Sequence, residues 1–117
     1  MGLAQAISRH QDFKVRLSLF VLAGAGEVPD LEDCSRDDRC DLGRWLLGEG
    51  DRRFGPSPEH ASLKAIHAQF HRRAGAVLQA VREGNRAGAQ KLLERDLYPL
   101  STEVVVAINR MRVLAGE

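Results

Sequence analysis

The chain has 117 residues, enough for one domain with its own core and too few for two. Its formal charge of +1, from 17 Lys and Arg against 16 Asp and Glu, gives no net pull toward nucleic acid or an anionic membrane. The longest apolar run, Leu17 to Gly26, is too short to span a bilayer, no signal-peptide order opens the chain, and two cysteines make no disulfide scaffold, so a cytoplasmic protein is expected.

Leu3, Ile7, His10, Phe13, Leu17, Phe20 and Val21 recur mostly at intervals of three and four, which predicts an amphipathic helix ending within Ala23 to Gly26. His10 lies on its apolar stripe. The segment EVPDLEDCSRDDRC then reads as a polar loop. Cys34 falls in it as a non-ligand, and a bridge to Cys40 would close too small a loop to matter for stability. After Cys40 comes a short helix with Leu42, Trp45 and Leu46 on one face, stopped at Gly48 and Gly50. DRRFGPSP is punctuated by Gly55, Pro56 and Pro58 and reads as a loop.

Ser57 as N-cap and Pro58 at the first position start a long helix that runs to about Glu83. Its stripe is Leu63, Ile66, Phe70, Ala74, Val77, Leu78 and Val81, with His67 and His71 along the edge. Arg72 and Arg73 belong to the wet face. In the last third, Pro99 predicts a break or kink between Leu97 and Ser101, with Ser101 capping the final helix and Glu103 supporting that start. Val104, Ile108, Met111, Val113 and Leu114 give its buried edge. No segment alternates with period two. The expected fold is all-α, four-helix-bundle-like, with an additional short helix carrying the Cys motif, and 1–117 forms a single domain.

Two histidines at i and i+4 point to one side of a helix, as a shared metal ion requires. An imidazole at His10 in an apolar stripe needs a partner or is left at a cost. A thiolate at Cys40 would complete a tetrahedral Zn2+ site of three nitrogens and one sulfur: His10, Cys40, His67 and His71. His60, seven residues before His67 and about 10 Å away along the helix, reads as a solvated surface histidine. Four protein ligands leave no open position for an activated water, so no enzyme is expected. A di-iron carrier would need inward-facing carboxylates, and the apolar stripes contain no Glu. The competing reading is a metal-free or structurally zinc-stapled helical protein-interaction module.

His10, then Cys40-Asp41-Leu42-Gly43-Arg44-Trp45-Leu46, then His67-x-x-x-His71 resembles the pattern of the bacterial chemoreceptor zinc-binding (CZB) domain family, over nearly the whole chain. The resemblance implies a helical bundle that pairs as a homodimer and holds zinc through those four residues. It further implies that zinc occupancy, or oxidation of the cysteine, is passed to an output module of the chemoreceptor or diguanylate cyclase type. With no room for such a module, the chain is expected to be a stand-alone member or a piece of a longer protein.

Overall fold

A computed structural model describes residues 2–117, and the described residues form helices and turns without a strand. The first helix, α1, spans Leu3–Ala23 and buries Leu3, Ala6, His10, Leu17 and Val21. It stops where expected: Gly24 takes a left-handed conformation (φ 63°) that a Cβ would strain, its N–H returns to the Phe20 carbonyl, and the Ala25 N–H returns to the Leu19 carbonyl. The Arg86 guanidinium donates to the Phe20 and Val21 carbonyls at 2.8 and 2.6 Å, satisfying the end of α1 from across the fold.

Three short helices follow. The segment expected to be a loop contains α2, Leu31–Ser35, started by the Asp30 carboxylate accepting the Asp33 N–H at 3.0 Å. It buries Cys34. Next, α3 spans Asp41–Leu47 and buries Leu42, Gly43, Trp45 and Leu46, as the sequence predicts. The loop expected over 51–58 is largely helix instead: α4 covers Glu49–Phe54, and Gly55 and Pro56 end it rather than prevent it.

The long helix, α5, spans Pro58–Arg82, with the Ser57 side chain accepting the His60 N–H at 3.1 Å and Pro58 in its first turn. The last third is one continuous rod: α6 (Arg86–Leu92), a π-helical turn (Leu93–Leu97) and α7 (Tyr98–Ala115). Of the break or kink expected between Leu97 and Ser101, the break is absent, and the irregularity lies just before it, in the π turn that ends at Leu97. Pro99 has no N–H to give, so the chain widens into a π turn closed by the Tyr98 N–H on the Leu93 carbonyl, and Pro99 sits in the first turn of α7. Ser101 is therefore inside α7, not a cap. Val113 and Leu114, expected on the buried edge, face outward at the helix end.

Packing follows the apolar stripes. The central helix α5 packs chiefly on α7, α2 and α6, and α1 packs on α7. The short helices α2, α3 and α4 lie against α5, so the fourth side of the bundle is built from pieces rather than from one rod. Phe70, Leu63, Leu78, Leu93, Leu97, Ile108 and Met111 fill the core with no exposure, each contributing about 1.5–3 kcal/mol by burial. Gly75 lets α2 approach closely, since a Cβ there would fall 2.2 Å from Ser35 Oγ.

Candidate metal centre

Cys40 stands immediately before α3 as its N-cap, and its Sγ accepts the Gly43 N–H at 3.4 Å. Gly43 is needed for a second reason. Any Cβ at this position would collide with the Asp37 carbonyl, so the turn leading to Cys40 can fold over the start of α3 only because the residue is glycine. Arg36 pairs with Asp38 and Glu32, and Arg39 with Glu32, which ties down the acidic segment before the cysteine. Trp45 is buried against Phe54 (ring centroids 6.3 Å) and against Gly50, where a Cβ would strike the indole. An Arg9–Asp41 ion pair joins α1 to the first residue of α3.

His67 and His71 lie one turn apart on α5, and both are buried. Their Nε2 atoms face each other at 3.1 Å, and Cys40 Sγ lies 3.2 Å from His67 Nε2 and 3.7 Å from His71 Nε2. These three donor atoms fall within 4.8 Å of one another. Tetrahedral zinc with ordinary bond lengths separates two nitrogens by about 3.3 Å and a nitrogen from a sulfur by about 3.5 Å. The observed spacings straddle those values.

The tautomers fit as well. His71 Nδ1 is 2.8 Å from the Cys34 carbonyl, which can only accept, so Nδ1 carries the hydrogen and the neutral ring turns the Nε2 lone pair inward. Burial pushes the His67 pKa down to about 3, and neighbouring His71 and His10 act in the same direction. The His71 pKa is lowered by burial and partly restored by the Cys34 carbonyl and Asp37. Burial raises the Cys40 thiol, against the Gly43 N–H that favours its thiolate. Two neutral imidazoles, that of His71 with its lone pair turned inward, beside a thiol are a donor set that a soft divalent cation satisfies, and such a cation reverses the preference for the protonated thiol.

His10 is buried at 8 % exposure and lines the same cavity of about 60 Å³ as Cys40, His67 and His71. Its ring tilts against Phe70, with centroids 4.5 Å apart. Its Nε2 is engaged by Ser101 Oγ at 2.8 Å, and neither of its ring nitrogens falls within the three-donor cluster, so it stands at the cavity wall. Burial, then His71 and Lys14, lower its pKa to about 4 against the opposing effect of Ser101.

Two expectations need correction. His60 is not a surface residue: it is 3 % exposed, and its Nε2 donates to the Leu46 carbonyl at 2.8 Å. Cys34 does not sit in a solvated loop. Its thiol is buried and pushed up to about 11, chiefly by that burial. The Cys34 main chain, not its sulfur, serves the site by orienting His71, a role that no side-chain pattern signals.

The family model described as the chemoreceptor zinc-binding domain matches residues 10–78, more than half of the chain. The matched stretch opens at His10 and takes in Cys40, His67 and His71. No curated protein and no solved structure matches the chain significantly.

Proposed function

Since this chain belongs to the chemoreceptor zinc-binding domain family, we propose that it is a sensory zinc-binding module whose ligands are His10, Cys40, His67 and His71. The observation that carries the reading is the convergence of Cys40 Sγ with two histidine Nε2 atoms, one of them fixed as a lone-pair donor by the Cys34 carbonyl. His10, on the wall of the same cavity, would supply the fourth donor through Nδ1, the nitrogen that Ser101 does not engage, by moving in toward the three clustered donors. In that role its Nε2–H donates to Ser101 Oγ, which sets the tautomer from α7. Bound Zn2+ would tie α1, α3 and α5 together and hold the Cys40 sulfur as a thiolate.

Cys40 differs in kind from the three imidazoles, and it sits on a short helix at the rim of the bundle. A peroxide that enters the cavity meets its sulfur: the thiolate attacks one oxygen, the O–O bond breaks, and the departing hydroxide takes the proton of the sulfenic acid so formed, leaving water and a sulfenate. A sulfenate is a poorer ligand, and α3 with Trp45 is then free to shift from α5. Zinc occupancy or this oxidation is the input, and a signalling protein or domain of the chemoreceptor or diguanylate cyclase type receives it. The 117 residues act as one domain, paired with a second copy in the cytoplasm, and sense rather than catalyse. Among the described residues no helix is long and apolar enough to cross a membrane.

Elemental mass spectrometry of protein purified without added metal tests the site, with Cys40→Ala alongside. One zinc per chain, lost or greatly weakened in the variant, is expected. A helical protein without metal would refute the reading and leave a metal-free interaction module.

A further inference from the structure

His60 lies outside the donor cluster, yet it is more deeply buried than His10 and makes a hydrogen bond aimed at the helix that carries Cys40. Its acceptor, the Leu46 carbonyl, is among the last of α3, one of the groups a helix end leaves without an internal partner. The far end of α3 is Cys40, against His67. So α3 is joined to α5 at both ends, and the two elements run antiparallel across those joints.

The spacing of the joints matches. Cys40 and Leu46 are six residues apart and His60 and His67 seven, which at 1.5 Å per residue is about 9 Å against about 10.5 Å. One bond therefore fixes where the other falls. The buried Leu46 side chain packs in the core here, but among the described residues no other hydrogen bond joins this end of α3 to α5. Leu47 is half exposed, and the chain leaves α3 at Gly48 with φ −107° and ψ −104°. The Arg9–Asp41 pair holds the opposite end and is solvent-exposed, so it contributes little. Trp45 anchors the middle by packing, which resists lifting but fixes the axial position of α3 less sharply than a directed hydrogen bond.

We infer that His60 is a positioning residue of the metal site: through the Leu46 carbonyl it sets the register of α3 on α5, and so the place of Cys40 between His67 and His71. The same bond is the pivot that stays closed when Cys40 lets go. The inference rests on the zinc site proposed above.

Two variants of similar bulk test it: His60→Gln keeps an N–H donor, and His60→Met removes it. Zinc affinity is measured by competition with a chromogenic chelator. The thiolate-to-metal absorption of the Co2+-loaded protein then reports on the sulfur alone. His60→Met is expected to weaken zinc roughly 10- to 100-fold and to diminish the thiolate band, whereas His60→Gln stays within about threefold of the parent and keeps the band. His60→Met at parental affinity, or His60→Gln as impaired as His60→Met, overturns the inference while the site reading stands. If His60→Met does not fold, His60→Gln decides alone: a tenfold loss there overturns it. A parent chain that binds no zinc removes the site reading itself, and this inference with it.

Discussion

Gly43→Ala probes the geometry of the cysteine without touching a ligand. A Cβ on residue 43 would lie 1.6 Å from the Asp37 carbonyl oxygen, 2.7 Å from its carbon and 3.2 Å from the Asp38 Cα. All three are main-chain atoms, so no rotamer change relieves the clash. Ordinary carbon–oxygen contact is about 3.4 Å, and the two segments must part by about 1.8 Å. Asp37 and Gly43 each lie three residues from Cys40, so the displacement is delivered within one turn of the sulfur. Metal–ligand distances tolerate about 0.2 Å. Zinc affinity should fall by roughly 100-fold, the upper end for residues that orient ligands, and overpacking should cost about 1–3 kcal/mol in urea unfolding. Chelator competition and the thiolate band of the Co2+ protein read the first effect. A variant with the parental band and affinity within threefold would refute the claim that this close approach positions Cys40.

Zinc at 100 times its dissociation constant stabilises by about 2.7 kcal/mol, so in a domain of this size chelation should lower Tm by roughly 10 °C. An unchanged calorimetric Tm would show that binding and folding are uncoupled. The chelated protein should lose stability in acid. His10 and His67 titrate near 4 and 3 when folded against 6.5 unfolded, so the unfolded chain takes up protons that the folded chain refuses. Stability is complete above about pH 6.5 and falls below it by up to ~1.4 kcal/mol per pH unit per histidine, until each folded pKa is reached. Urea midpoints at pH 7.5 and 5.0 check the sign, and equal midpoints would contradict it. Gly75→Ala would place a Cβ 2.2 Å from Ser35 Oγ and 3.2 Å from its Cα, prising α2 from α5. At about 1–3 kcal/mol of overpacking, the Cys34 thiol should react roughly tenfold faster with a disulfide reagent; parental protection would show that α2 docks by other means.

What the sequence made legible is what local chemistry decides. The 3.6-residue stripe of α1, its stop at Gly24, the Ser57-Pro58 start of α5 and the apolar face of α3 follow from residues that act on their neighbours. The coming together of Cys40, His67 and His71 was readable for the same reason, through helical spacing and a compact motif. His60 was not. Its partner is a main-chain carbonyl fourteen residues back, and only the assembled bundle brings them together. Ser101 failed similarly: a serine after a proline reads as a cap, but its oxygen is spent on His10, 91 positions away. Helix α2 was hidden by length. Five residues in an acidic segment carry no periodicity, although Asp30 ahead of Asp33 is a capping pattern that could have marked it.

The π turn at Leu93–Leu97 holds one residue more than a regular α-helical turn would need. One residue amounts to about 100° of rotation about the axis, so everything beyond it is turned by that angle relative to α6. Ala89 before the turn and Val104, Ile108 and Met111 after it are buried together with this extra residue present. In an uninterrupted α-helix the two halves would be out of phase, and Ser101 would point away from α1 instead of meeting His10. The wide turn acts as a clutch plate set at one angle: it keys the rotation of the last helix to the wall of the metal cavity.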